Sequence, residues 1–299
     1  MRTSCLISLI LMPCLLFCAL AAADNDESRL NAGITILLGG DLSRKSTADL
    51  LAMLHDEEPL NRGTAVKELS KRKEPGIAPR LRELLKDQSG WVRFGAATAL
   101  LDMGDQGMLP GLRGLLVSQP EQAKVIIATV LARHGDDSGL DFARAELTSW
   151  SFTRRMRAIS ALAASRNDDV AYPALEASLE DSNEYVRDMA INHLGSRPGK
   201  RSVELLGTVL SHPDHSIRWL TVAALARNGS RDAIPLLLDV LADTNSSVRG
   251  MAASSLNHLT GQNKPTLLIK PERAKQLEKE WREWWEANKD KPLPSEEKK

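Results

Sequence analysis

Apolar and polar positions along this chain follow a helical rhythm, and the rhythm itself recurs. Val186, Ala190 and Leu194 stand four apart with Met189 and His193 beside them, the spacing of an amphipathic helix. The series returns at a near-constant step through Ala65, Ala96, Ile127, Ala158, Ala190, Thr221 and Ala252, each followed four later by a leucine, from Leu69 to Leu256. Three positions before each member stands a base: Arg62, Arg93, Lys124, Arg155, Arg187, Arg218 and Arg249. Six before each base come Asp56, Asp87, Ser118, Ser149, Asp181, His212 and Asp243. So regular a step means stacked supersecondary units, none of which buries its apolar face alone.

Each unit reads as two helices. Ser89, Ser151, Asn183, Asp214 and Asn245 are N-capping types at the start of the first helix. Gly104, Gly135, Gly229 and Gly261 follow it, as a helix C-terminus favours. Pro79, Pro110, Pro173 and Pro235 are expected to open the second helix, where a missing N–H costs no intrahelical bond. Leu81, Leu84 and Leu85, with their counterparts Leu112, Leu115 and Leu116, supply that helix's buried stripe. The small residues after each base let neighbouring helices approach. The fold class is all-α: an α-solenoid, or superhelix, of about seven to eight stacked two-helix units.

The pattern Asp…Val-Arg-x-x-Ala-x-x-x-Leu…Pro-x-Leu, running from Asp56 to Gly261, resembles HEAT-like repeats of the short bacterial type first associated with phycobilin lyases. The units starting at Asp87, Asp181, His212 and Asp243 match well, and those at Ser118 and Ser149 are degenerate. The resemblance implies that each arginine bonds an aspartate of an adjacent turn. Asp56, Arg62, Asp87, Arg93, Asp181, Arg187, Asp243 and Arg249 then form a structural ladder rather than a ligand site. Ser118 and Ser149 cannot ion-pair, so the ladder is expected to weaken in its middle.

A solenoid needs caps. Ala48–Leu54 is in phase with Ala78–Leu85 and reads as the second helix of an incomplete eighth unit, with Ile34–Leu38 in its first element. After an irregular stretch, Glu272 to Asn288 reads as a charged amphipathic helix. Its Leu277, Trp281 and Trp284 share one face and, with Trp285, are expected to seal the last repeat. The expected organisation is a signal peptide over 1–23, a capping partial repeat over 24–55, the solenoid over 56–261, a linker and Trp-rich capping helix over 262–289, and a disordered tail over 290–299.

Met1-Arg2, the apolar run from Cys5 to Phe17 and the small residues ending at Ala23 read as a cleaved secretory signal, so the mature chain is expected to be periplasmic or secreted. A retained anchor or a lipid on Cys18 are the alternatives, and bulky Phe17 disfavours the latter. All three cysteines lie in this segment, so after cleavage disulfides, cysteine nucleophiles and Cys-based zinc sites are excluded together. The formal net charge is zero, which disfavours nucleic acid. Between Arg62 and Arg93 nine bases face four acids, a solvated surface or a dock for an acidic partner.

Catalytic constellations are largely absent: no Gly-rich phosphate loop, no Gly-x-Ser-x-Gly and no His-Glu-x-x-His. His212 and His215 make the best metal candidate but lack a third ligand. HEAT-like deoxyhypusine hydroxylases hold iron with His-Glu pairs, and no histidine here is followed by Glu. No cofactor, metal or catalytic residue is therefore assigned. The expectation is a non-catalytic scaffold that binds a protein partner. A bilin-lyase-like activity in the concave groove is the alternative, resting on fold analogy.

The helical phase points to a surface. With each base as origin, positions two before and one after it fall opposite the core-facing side. They carry Trp91 and Tyr185, and Phe94, Val125, Met156 and Trp219, where polar residues belong. These six are the expected partner-binding file, with the second-helix face as the next candidate.

Overall fold

The computed structural model describes residues 42–72, 76–266 and 271–291. The expected signal segment, the Ile34–Leu38 element and the tail beyond residue 291 lie outside them. Within the described residues the regular structure is helical. The helices are α1 (Thr47–Met53), α2 (Pro59–Arg72), α3 (Ile77–Glu83), α4 (Gly90–Asp102), α5 (Leu109–Ser118), α6 (Glu121–Arg133), α7 (Leu140–Glu146) and α8 (Phe152–Ala164). They continue as α9 (Asp168–Leu179), α10 (Glu184–Gly195), α11 (Lys200–Val209), α12 (His215–Asn228), α13 (Ala233–Val240), α14 (Ser246–Thr260) and α15 (Pro271–Asn288). Each ladder base sits in the first turns of α2, α4, α6, α8, α10, α12 or α14, so these are the first helices of the repeats. The chain is an α-solenoid of HEAT-like helix pairs.

The chain divides into two compact units. The first takes the described residues up to Glu146 with Ala164–Arg166, and the second takes Leu147–Ala163 with the described residues from Asn167 onward. In the first, α2 packs along α4, α1 lies against α2 and α3 lies against α4. Leu50, Leu54, Val66, Leu69, Leu81, Val92 and Leu100 fill that core, and Leu101, Leu112, Ile127 and Leu131 fill a second one. In the second unit, α10, α12 and α14 pack side by side over α9, α11 and α13. One core runs there from Ile159 through Leu194, Leu225 and Leu256 to Trp281. At about 1.5–3 kcal/mol per fully buried aliphatic side chain, the periodic leucines dominate stability.

The caps follow the sequence with two differences. Asn183 accepts from the Tyr185 N–H at 3.1 Å, Asp214 from Ser216 at 2.8 Å, and Asn245 from both Ser247 and Val248. Ser89 makes no side-chain cap bond. Pro173 does not open its helix: it lies inside α9, which starts earlier, at Asp168, because Asn167 caps it through the Asp169 N–H. The expected glycines Gly104, Gly135, Gly229 and Gly261 all take positive φ at the ends of first helices. Gly195 serves close approach instead: a Cβ there would lie 2.8 Å from the Ala224 Cβ and 2.9 Å from its Cα. That contact lets α10 lie against α12.

α15 closes the second unit. Leu277 and Trp281 are fully buried, and Trp284 and Trp285 pack half-buried on the same core. The Trp281 and Trp284 rings meet edge to face with centroids 5.6 Å apart. The Lys264 ammonium stands 4.6 Å over the Trp281 ring and donates to the Glu280 carbonyl. At the other end, Ser46 and Asp49 form a reciprocal capping box on α1.

Candidate functional site

The ladder arginines link repeats rather than bind outward. Arg62 donates from Nε and Nη2 to both carboxylate oxygens of Asp87 in the next repeat, each at 2.8 Å. Its Nη1 donates to the carbonyls of Asp56 and Glu57. Arg155–Asp181 and Arg218–Asp243 repeat this fork at 2.7–2.9 Å. Each of these aspartates also accepts the N–H two positions on, from Ser89, Asn183 and Asn245. The Arg62 and Arg155 forks hold Asp87 and Asp181 below the usual carboxylate range. Burial pushes Asp243 up, but Arg218 and the Asn245 N–H outweigh it. Asp56 meets no ladder fork, because the partner of each arginine lies in the following repeat; it accepts from Glu58 and Asn61.

The other rungs are built differently. Ser118 stands in the register after Arg93, and Arg93 donates only to the Asp87 and Gln88 carbonyls. Lys124 turns back to Glu121. Arg249, at the end of the file, donates to the Asp243 and Thr244 carbonyls. After Arg187 comes His212, whose Nδ1 already accepts the Asp214 N–H at 3.0 Å. Its other ring nitrogen carries the proton in the neutral ring and cannot accept. Arg187 Nε is accordingly buried without a partner.

A second set of cross-repeat pairs went unread in the sequence. Arg82 reaches Asp105 at 2.9 Å, and Arg113 and Asp136, each one repeat further on, form the same pair. The shared step was the signal that could have found it. These pairs, with Arg80–Glu83 and Lys71–Glu68, engage much of the basic stretch between Arg62 and Arg93 internally.

The six file residues do not share one environment. Val125 is 2% exposed and buried in the first unit. Met156 packs against the main core of the second unit and Phe94 against the Leu112 cluster. Trp91 packs half-buried against the α2–α4 core and lies over Gly63, where a Cβ would come within 2.4 Å of its Nε1. These four correct the solvent-facing expectation. First helices stack sideways, so each flank of a helix meets its neighbour and only a narrow strip remains open. Tyr185 (57% exposed) and Trp219 (39%) lie on that strip in the second unit.

Two further rings were missed. Trp150, in the turn before α8, is 93% exposed, and Phe152, at its start, is also exposed. The Phe152 and Tyr185 rings stand 6.3 Å apart. Neither Trp150 nor Phe152 is in the two registers that the helical phase singled out. Their signal was different: other repeats carry small, polar or proline residues at the same places, as at Gln88, Gly90, Ser182 and Ser246.

A hollow of about 440 Å³ in the first unit is lined by His55, Arg62, Arg80, Glu83 and Asp87 among others. Four of its charges are engaged with one another, Arg62 with Asp87 and Arg80 with Glu83. Among the described residues no group of three or more His, Cys, Asp or Glu is arranged to hold a metal ion. None of the described helices is long and apolar enough to cross a membrane.

The family model for HEAT repeats matches residues 47–124 and 172–257, more than half of the chain. The chain belongs to the HEAT-repeat family. No curated protein matches this HEAT-repeat chain. Among solved structures it is similar to the CpcE–CpcF complex of phycocyanin lyase from Nostoc sp. PCC7120, with 19% identity, TM-score 0.42, and 81% of this chain and 96% of that one covered. Human deoxyhypusine hydroxylase in complex with glycerol is similar at 19% identity and TM-score 0.37, over 85% of this chain and 98% of that one. A designed armadillo-repeat protein in complex with the peptide (KR)4 is similar at 17% identity and TM-score 0.32, over 72% and 100%. At these identities the likeness concerns the fold.

Proposed function

We propose that this chain is a non-catalytic interaction scaffold, or adaptor, of the cell envelope, which binds a protein partner on the open strip of its first helices. Export through the segment from Met1 to Ala23 is part of this proposal, on the signal-like pattern described above. The observation that carries the reading is the set of exposed rings on the second unit, Trp150, Phe152, Tyr185 and Trp219. They come from three successive first-helix segments, on helices whose packing is set by buried leucines and Arg–Asp forks. Rings displayed at a fixed pitch on rigid helices lose little freedom on binding, and large exposed aromatics are the side chains that most often anchor protein interfaces.

The test is recovery of a partner from the exported fraction by the wild-type chain and by a Trp150→Ser/Tyr185→Ser/Trp219→Ser variant. The expected result is a specific partner retained by the first and lost by the second. Equal recovery by both, with both chains folded by circular dichroism, would overturn the assignment of this face.

A further inference from the structure

Asp188 occupies an unusual place on α10. It stands in the register held one repeat earlier by Met156, which packs on the core, and one repeat later by the exposed Trp219. Its carboxylate is half-buried, and no hydrogen bond contributes to its state. Burial raises its pKa above the ordinary carboxylate value, and the charges of Glu184 and Asp214 raise it further, against the pull of Arg187. The bases nearby are partly occupied. Arg187 donates to the Asp181 carbonyl, Arg218 is forked onto Asp243, and His215 stands 3.9 Å from Asp214.

The rings lie on the same strip. Tyr185 follows Glu184 and precedes Asp188 by three positions, so one turn of α10 carries all three. Trp219 shares Asp188's register on α12, which packs against α10. Phe152 extends the ring surface beside Tyr185. A half-covered carboxylate without a donor is held at a cost, which deepens if an acidic or purely apolar partner covers it. A cation set down beside it reverses the sign.

We propose that the partner presents an extended Lys/Arg-rich segment to this strip, with its cationic heads on Asp188, Glu184 and Asp214 and its stems along Tyr185, Phe152 and Trp219. The proposal rests on the scaffold reading and narrows it to a partner chemistry. Lysine and arginine suit both halves of the surface: the head pairs with carboxylate or lies over a ring face, and the alkyl stem covers apolar area. The complementarity would act on specificity and on the rate of encounter, so binding should weaken as salt rises.

The experiment titrates the chain with three fluorescein-labelled nine-residue peptides in which Gly alternates with Lys/Arg, with Gln, or with Glu, followed by anisotropy. The basic peptide is expected to bind at least tenfold tighter than the other two. Asp188→Asn/Glu184→Gln is expected to cost about tenfold in that affinity, as loss of paired charges at an interface does. Glu176→Gln/Glu180→Gln, the same charge change on exposed residues of α9 and its C-terminal end, should cost little. If that second pair weakens binding as much as the α10 pair, attraction is diffuse and the proposal fails. It fails equally if the basic peptide binds no tighter than the neutral one. Should Tyr185→Ser/Trp219→Ser abolish recovery of the natural partner while Asp188→Asn/Glu184→Gln leaves it intact, the scaffold reading stands and the basic-partner claim does not.

Discussion

Trp91 and Tyr185 occupy the same position in their repeats, two before the ladder arginine, yet one ring is packed between helices and the other stands in solvent. The preceding repeat makes the difference. Beneath Trp91 lies Gly63, whose missing side chain opens a slot on α2 that the indole fills. The equivalent of Gly63 one repeat before Tyr185 is Met156, which packs on the core and leaves no such slot. An aromatic in a repeat is therefore read with its neighbour at the adjacent register, not from its own helix alone.

The comparison can be broken from its strongest side first. Trp91→Ala should destabilise the first unit by about 3 kcal/mol, in the range for truncating a packed aromatic. Tyr185→Ala should stay within about 0.5 kcal/mol, as an exposed substitution does. Urea melts of the two variants make the contrast, and equal costs would refute it. Gly63→Ala should cost about 1–3 kcal/mol, because the new methyl meets the Trp91 ring and one or the other has to move. Thermal denaturation measures it, and a neutral result would mean that the slot is loose.

The other effects are smaller and sharpen the account of α10. His212→Asp supplies the carboxylate that Arg187 lacks and should stabilise the second unit by about 1–2 kcal/mol, read from the urea midpoint. His212→Ala should give no such gain. Acidification should act through the closed rungs. Asp87, Asp181 and Asp243 have folded pKa values below the unfolded one, so their contribution is complete above about pH 4 and is lost as pH falls through the lower folded values. Asp188 has the opposite sign: its charged form is disfavoured in the fold, so its penalty is present at neutral pH and is relieved on protonation. Asp188→Asn should raise stability at pH 7 by a few tenths of a kcal/mol, since the group is only half covered. A loss of stability would show that the carboxylate has a partner in solution.

The regular step of the pattern made the repeat architecture legible because backbone hydrogen bonding and leucine burial act within a repeat or between immediate neighbours. The cap was legible for the same reason: Leu277 and Trp281 share a face, and that face is buried. The strip proposed for binding was only partly legible. Tyr185 and Trp219 were found by helical phase, whereas Val125, Met156, Phe94 and Trp91 were assigned to solvent because the phase of one helix does not report which flank its neighbour covers. Trp150 and Phe152 escaped because they lie at or just before the helix start, where phase carries no weight. The Arg187–His212 gap was visible as a histidine in an aspartate register, but its consequence depended on which ring nitrogen the Asp214 N–H had already taken.

The central claim is that the partner meets Tyr185 and Trp219 and not Trp91, although all three come from the same pattern. Its most direct test places a photocrosslinking amino acid at position 185, 219 or 91, one at a time, and exposes the chain to the proposed partner under light. The account predicts a crosslinked adduct from positions 185 and 219 and none from position 91. An adduct from position 91 equal to that from 185 would contradict it.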